Sequence, residues 1–287
     1  MRIGAVELGG TKTICAIFDG DSLSDKMQFW TYKPEKTMGQ VISYFEGKGI
    51  EAIGIAAFGP VCIDEGSEDF GRIYDTVKPG WSHYDILGPI REKLKVPAFL
   101  DTDVNAACLG EVSFGSYKGM RNAVYITVGT GIGVGIVHDS VPYHGNMHPE
   151  AGHISVGRLE SDTFEGICPF HRDCAEGLAC GPALRERAGR DPKSIPEGDE
   201  MWSIESKYIA RLCYSMALTV SPDGIIVGGG VLNKGFLYDM IRSEFDALNN
   251  GFLRSGNAPD PERYILRPSL DGDQALYGCL RMVLDRL

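Results

Sequence analysis

The sequence has 287 residues, 43% hydrophobic and 23% charged, which is the composition of a globular protein with one large domain or two ordinary ones. Its net charge of −11 argues against nucleic acids and anionic membranes as partners, and no apolar run reaches the ~20 residues of a membrane span. Six of the eight cysteines are scattered through apolar segments and the N-terminus has no signal-peptide pattern, so we expect reduced thiols and a cytoplasmic location.

The chain begins with a predicted β-hairpin around a glycine turn. Two strands within residues 2–19 flank Gly9-Gly10-Thr11-Lys12, which taken alone is an ordinary glycine turn. A similar strand–turn–strand unit returns at 124–138, with Gly129-Thr130-Gly131 at its turn. The repeated pattern indicates two related halves. Two such turns would direct backbone amides and hydroxyls at phosphates, although neither has the Walker spacing.

Several elements are predicted between the two hairpins. They are a helix over 38–47, a buried strand over 52–58, a loop-rich region over 64–82, a helix over 86–94 and a strand over 96–100. The loop-rich region contains Lys78-Pro79-Gly80-Trp81, which is typical either of a turn with one buried tryptophan or of a loop that lines a substrate site.

Asp103 follows the strand at 96–100 and opens a predicted helix over 104–115. Ligands of open α/β sheets bind beyond the carboxyl ends of strands, so Asp103 is a candidate general base that accepts the proton of an attacking hydroxyl. It is equally a candidate helix N-cap. Because Thr102 or Asp101 could cap the helix as well, the two roles are compatible.

A group of metal-ligating residues follows the second hairpin. Two thiolates and two imidazoles suit a tetrahedral zinc ion, and the spacing offers His153, Cys168, His171 and Cys174. A metal there would cross-link about twenty residues of loop-like chain and hold Glu150 and Glu176 beside it. We therefore expect a structural metal and functional acids.

The remainder of the chain alternates helices with two short strands. We predict helices over 180–188, 202–220, 239–253 and from 271 to the end, a polar linker over 189–200, a loop over 254–263, and strands over 222–227 and 264–268. The first of these strands ends in Gly228-Gly229-Gly230, which is either a tight turn or a place where an adenosine approaches the backbone.

In this order, the motifs resemble the ROK family of sugar kinases, and within it the bacterial fructokinases. The motifs that carry the resemblance are Glu-Leu-Gly-Gly-Thr-Lys at 7–12, Lys-Pro-Gly-Trp at 78–81, Thr-Asp-Val-Asn-Ala-Ala at 102–107, His-Pro-Glu-Ala-Gly-His at 148–153 and Cys-Pro-Phe-His-Arg-Asp-Cys at 168–174. The resemblance implies a two-domain, duplicated actin/hexokinase-like (ribonuclease H-like) α/β fold with an interdomain cleft. An N-terminal domain of residues 1–114, joined by the last helix (273–287), would precede a C-terminal domain of residues 115–272 that carries the zinc loop.

The resemblance also implies roles for individual positions. Asp103 would activate the hydroxyl of a hexose, and the sugar would contact Asn105, Glu150, His153, Glu176, Lys78, Gly80 and Trp81. The nucleotide would contact Glu7, Gly9, Gly10, Thr11, Lys12, Gly129, Thr130, Gly131, Gly181, Pro182, Gly229, Gly230, Asp271, Gly272, Asp273, Gln274 and Ala275. ATP with Mg²⁺, a structural Zn²⁺ and a homodimer complete the expectation.

The sequence departs from the family pattern at two positions. Glu7 stands where many members have an aspartate that helps to organise magnesium, and a longer side chain can do so through water. His171 stands within a cluster that is richer in cysteine in most members, and imidazole is an ordinary zinc ligand.

Three alternative functions share some of these sequence features, and two of them are disfavoured. A ROK-type repressor would need an N-terminal helix-turn-helix domain, for which the hairpin at Ile3 leaves no room. A kinase for glucose, mannose or an N-acetylated hexosamine would differ only in the shape of its pocket. A nucleotide-binding zinc protein without catalysis is disfavoured by Asp103.

Overall fold

The computed structural model describes residues 1–287 and contains two α/β units, each with its own hydrophobic core. Unit 1 comprises Met1–Gly119, Ser140–Pro149 and Ser269–Leu287, and unit 2 comprises Met120–Asp139 and Glu150–Pro268. The predicted α/β class is confirmed. None of the helices has the length and apolar character that crossing a membrane requires.

Unit 1 is built on a mixed sheet with the strand order β3-β2-β1-β4-β5. Its strands are β1 (Arg2–Leu8), β2 (Lys12–Asp19), β3 (Ser22–Trp30), β4 (Ala52–Ala57) and β5 (Ala98–Thr102). The strands β1, β4 and β5 are parallel, and β4 is buried along its whole length, as expected of a strand covered on both faces.

Four helices of unit 1 cover this sheet: α1 (Pro34–Phe45), α2 (Leu87–Leu94), α3 (Asp103–Ser113) and α9 (Gln274–Leu284). The helices α3 and α9 pack with their backbones in contact at Gly278. A Cβ atom on that residue would collide with the carbonyl oxygen of Ala106. A side chain there would force the two helices apart. The C-terminal helix is thus part of the first unit.

Unit 2 repeats this plan. Its strands β6 (Ala123–Val128), β7 (Ile132–His138), β9 (Gly224–Gly228) and β10 (Ile265–Leu266) lie in the order β10-β9-β6-β7. Its helices are α4 (Ala175–Ala179), α5 (Gly181–Ala188), α6 (Glu200–Val220), α7 (Leu237–Asn249) and α8 (Pro261–Tyr264). In both units an antiparallel hairpin is followed by two parallel strands, which is the duplication that the two glycine turns predicted.

The structure contains elements that the sequence analysis did not predict, among them the helix α4 and the helix α8, which begins within the predicted loop 254–263. The edge strand β3 was not predicted, because only two of its nine residues are even partly buried and its sequence shows no clear alternation. The segment Ser140–Pro149, which contains the short strand β8 (Val141–Pro142), groups with unit 1 in the structure. His144 is hydrogen-bonded to the carboxylate of Asp101, and His148 accepts a hydrogen bond from the amide of Val61, so both attach the segment to this unit.

Candidate active site

Asp103 lies at the edge of the unit 1 sheet where three parallel strands end. The register aligns Glu7 of β1 with Ala56 of β4 and with Asp101 of β5, so all three strands leave the sheet at the same level. The β1–β2 turn and Asp103 therefore emerge from one sheet edge, as the strand-end rule predicts. The N-cap of α3 is Thr102, whose hydroxyl accepts a hydrogen bond from the amide of Asn105 at 3.2 Å. Capping thus does not require the Asp103 carboxylate.

The β1–β2 turn, Gly9–Lys12, turns its carbonyl groups toward unit 1. Thr31 binds two of them, through its hydroxyl to Gly9 at 2.7 Å and through its amide to Thr11 at 2.9 Å. The carbonyl oxygen of Lys12 accepts from the amide of Gly9 at 3.0 Å. Because these acceptors are occupied within the unit, the turn is suited to offering donors to an anion.

Lys78 binds the remaining carbonyl of this turn. Its ammonium group donates to the carbonyl oxygen of Gly10, and a second donation reaches that of Thr31 at 3.4 Å. Burial lowers the pKa of Lys78. The residue predicted to bind sugar is therefore attached to the predicted phosphate turn.

The Trp81 side chain is part of the hydrophobic core of unit 1. The side chain is fully buried, its indole N–H donates to the carbonyl of Tyr32 at 2.9 Å, and its ring packs edge-on against Phe58 and Tyr84. Of the two interpretations that the sequence left open, the turn with a buried tryptophan matches this burial, and a contact of Trp81 with substrate stays a prediction. Gly80 provides the positive φ of 82° that this turn needs.

Two acidic and two basic side chains interact beside the β1–β2 turn. Burial raises the pKa of Glu7, the nearby Lys12 opposes that shift, and Asp273 and Lys26 follow as weaker influences. The Lys26 ammonium pairs with the Asp273 carboxylate at 2.8 Å. Lys26 was missed from the sequence, because it lies on the unpredicted strand β3.

The predicted nucleotide segment 271–275 leads into α9 in the same unit. Asp271 and Gly272 have positive φ values of 50° and 91°, and Asp273 occupies the N-cap position. The helix begins with Gln274 and Ala275. This segment and Glu7 therefore lie near one another, as their interaction through Asp273 requires.

In unit 2 the predicted nucleotide glycines come together. The amide of Gly181, at the start of α5 and just before Pro182, donates to the carbonyl of Gly129 at 2.8 Å. A Cβ atom on Gly129 would lie 3.9 Å from the amide nitrogen of Gly230. Gly229, with φ of 95°, packs directly against the backbone of Val128, which no larger residue could do. The turn 129–131, the start of α5 and the triple glycine form one glycine-lined surface.

Glu176 connects this surface to the metal-ligating residues. One carboxylate oxygen accepts a hydrogen bond from the amide of Ile132, just after the 129–131 turn, at 2.9 Å. The other lies 3.9 Å from Nε2 of His153. Gly152, next to His153, has no room for a Cβ atom because the carbonyl of Ile132 lies against it. Glu176 therefore lies between the 129–131 turn and His153, and the backbone beside His153 packs against that of Ile132.

Glu150 lies just before the short 3-10 helix Ala151–His153. Burial raises the pKa of Glu150 to about 7, and the nearby Glu176 carboxylate adds to the shift. The two predicted acids are close enough to interact electrostatically.

The four predicted zinc ligands converge, with their ligand atoms all within 4.8 Å of one another. Tetrahedral zinc with bonds of about 2.3 Å to sulfur and about 2.05 Å to nitrogen would separate S and N by about 3.6 Å. The observed distances are 3.6 Å and 3.5 Å from His153 Nδ1 to the sulfurs of Cys168 and Cys174, and 3.7 Å from His171 Nδ1 to that of Cys168. The residues fit the ion.

The sequence analysis assigned no role to two further histidines, although His148 begins the 148–153 motif. His144 Nε2 is hydrogen-bonded to the buried Asp101 carboxylate at 2.7 Å, and His148 Nε2 accepts from the amide of Val61 at 3.2 Å. Three of the six histidines lie between residues 144 and 153, which was the one available signal. Asn105, a predicted sugar contact, is fully buried and donates to Asp101 at 2.9 Å.

Comparison with known sequences covers nearly the whole chain. The sequence model of the ROK family matches residues 3–286. A fructokinase from Pediococcus pentosaceus is 38% identical over 98% of this chain and 96% of its own length. A fructokinase from Lactococcus lactis subsp. cremoris is 38% identical over 93% of this chain and 91% of its own.

Solved structures share the fold. The ROK hexokinase from Thermus thermophilus superposes with a TM-score of 0.79 at 25% identity, covering 99% of both chains. A ROK family glucokinase from Streptomyces griseus, determined in complex with glucose and AMPPNP, gives a TM-score of 0.78 at 23% identity, covering 98% of this chain and 99% of its own.

Proposed function

This chain belongs to the ROK family, and from that membership we propose that it is an ATP-dependent hexose kinase that converts fructose to fructose 6-phosphate. The observation that carries the proposal is similarity at 38% identity along almost the full length of proteins named fructokinase. The ROK family, which the motifs predicted, is confirmed by the match to the family model.

The proposed mechanism assigns Asp103 the proton transfer. Its carboxylate would accept the proton of the sugar hydroxyl as that oxygen attacks the γ-phosphorus of ATP and ADP leaves. Catalysis of phosphoryl transfer is mostly positioning and charge stabilisation, which the two glycine turns, Gly9–Lys12 and 129–131, would supply through backbone donors. Glu150 and Glu176 would accept hydrogen bonds from sugar hydroxyls.

Two metals belong to the proposal. Mg²⁺, when bound, neutralises phosphate charge, and Glu7 would help to hold it, because a carboxylate beside the turn is the oxygen ligand that this ion prefers. Zn²⁺ would be held by the four-residue cluster that ends at Cys174. With four protein ligands it has no open position, so its contribution is structural.

The cellular setting follows the same proposal. We place the enzyme in the cytoplasm, a setting supported by eight cysteines of which none forms a disulfide. Homodimerisation stays a prediction from the family resemblance.

A sugar panel tests the substrate. In a coupled ADP-release assay we expect kcat/KM for fructose to exceed the values for glucose, mannose and N-acetylhexosamines by at least about tenfold, the discrimination that pocket contacts ordinarily give. A higher value for another hexose would keep the kinase and replace the substrate. Absence of sugar-dependent ADP release with every member of the panel would refute the kinase itself.

A variant of Lys78 tests whether this residue serves the nucleotide site or the sugar site. Lys78→Met removes a charged hydrogen bond to the phosphate turn, so we expect KM for ATP to rise about tenfold or more while KM for fructose stays within about twofold. Steady-state kinetics with each substrate varied in turn provides the measurement.

The matched control for this variant is Lys93→Met, which removes an exposed lysine of α2 paired only with Glu92. It should leave both KM values unchanged. A rise in KM for fructose alone in Lys78→Met would instead support the sugar contact that the sequence predicted.

A further inference from the structure

Hydrogen bonds among the residues next to Asp103 hold the junction between β5 and α3. One oxygen of the Asp101 carboxylate accepts hydrogen bonds from the amide of Thr102 at 2.7 Å and from the side-chain amide of Asn105 at 2.9 Å. With the Thr102 cap, these bonds tie the residues on both sides of Asp103 to one another. Asp101 and Asn105 are both buried, so neither bond competes with bulk water.

The second oxygen of Asp101 faces a different part of the chain. It lies 2.7 Å from Nε2 of His144, whose side chain is one-third exposed. His144 belongs to the segment Ser140–Pro149, which is also held by the bond from the Val61 amide to His148. The residue that follows this segment is Glu150.

From this arrangement, and resting on the kinase function proposed above, we propose that Asp101 and His144 form a positioning pair for the sugar reaction. A single buried carboxylate fixes the junction that carries Asp103 and anchors the segment that leads into Glu150. Neither member of the pair is assigned a contact with substrate. Both act by holding other residues in place.

Catalysis is sensitive to such placement. A shift of about 1 Å at a reacting group, caused by a change outside the chemistry, costs roughly 100-fold in rate. Removing the hydrogen-bond donor from His144 would leave one oxygen of a buried carboxylate without its partner, and the junction would relax. The effect should fall on sugar turnover, because the pair contacts neither glycine turn.

The pair is also sensitive to pH. The hydrogen bond to Asp101 raises the pKa of His144, with burial opposing the shift. The other charged or titratable groups near it are Arg286, which lowers that pKa, Glu65, which raises it, and His148. Because the folded pKa lies above the unfolded one, the stabilisation is complete below the ordinary histidine pKa of about 6.5 and is lost as the pH rises through the raised value.

Three variants test the pair, each assayed with the best sugar of the panel. His144→Leu should lower kcat/KM for sugar about tenfold to 100-fold with KM for ATP within about twofold. His144→Gln keeps a neutral donor, so it should retain most activity, and its melting temperature should change less between pH 6 and pH 9 than that of the wild type. His138→Leu, at an exposed histidine beside Asp139, should match the wild type throughout.

The outcomes are distinct. Sugar kinetics of His144→Leu within twofold of the wild type, or equal losses for ATP and sugar, would overturn the positioning role. If His144→Leu does not fold, an unchanged pH dependence of melting in His144→Gln overturns it instead. Failure of the kinase function would appear separately, as wild-type protein with no sugar-dependent ADP release.

Discussion

Replacing Asp103 with asparagine should lower kcat for sugar phosphorylation by about 10²–10⁴, the usual contribution of a general base. The amide keeps the size of the side chain but cannot accept the hydroxyl proton. The fold should persist, because Thr102 caps α3 and the register of β5 does not involve this side chain. Binding of ADP, followed by calorimetry, should be unchanged, and kcat is read from coupled ADP release.

Asp85→Asn provides the control for Asp103→Asn. Asp85 also lies at the start of a helix, where its carboxylate accepts a hydrogen bond from the amide of Gly88 at 2.8 Å. Its replacement should change the melting temperature slightly and kcat not at all. An Asp103→Asn enzyme with nearly wild-type kcat would show that another group takes the proton.

Loss of the proposed zinc ion should have the largest effect on stability. Structural zinc contributes an apparent 10–16 kcal/mol in zinc-finger peptides at neutral pH, about as much as the whole stability of an ordinary domain. The chain from Ile154 to Cys174 contains no regular helix or strand, and apart from contacts such as those of Leu159 and Asp162 with Tyr208 the proposed zinc would be its main cross-link. We expect chelation, or Cys174→Ala, to lower the melting temperature by about 10 °C or more and to reduce activity, because His153 and Glu176 support the 129–131 turn.

Metal analysis should find one zinc per chain in the wild type and none after Cys174→Ala. Cys213→Ala is the matched control, since Cys213 is a fully buried thiol outside the cluster, and it should keep the metal. A metal-free protein with full activity and an unchanged melting temperature would contradict the structural role.

The predictions from sequence succeeded where the determining signal was local. The two glycine turns, the strand-end position of Asp103 and the convergence of four cysteine and histidine side chains were each predicted from stretches whose residue types indicate their chemistry. The family followed from the same stretches. Buried strands such as β4 were found because their apolar runs are continuous.

The failures involve partners that are far apart along the chain. Lys78 reaches a carbonyl 68 residues away, and Asp101 meets a histidine 43 residues away. No spacing rule reports such pairs, because they depend on how the sheet and its connections are assembled. Strand β3 was missed for a related reason: it forms through pairing with β2, whereas its own sequence is largely exposed and irregular.

The position of α9 has a consequence for biosynthesis. This helix packs on α3, β1 and β4. The sheet of the first unit therefore lacks one of its covering helices until residues near 280 have been synthesised. At translation rates of about 5–20 residues per second, β1 waits roughly 15 to 60 s for that partner. The nascent N-terminal half therefore exposes apolar surface during that interval and is the part of the chain on which chaperones would act.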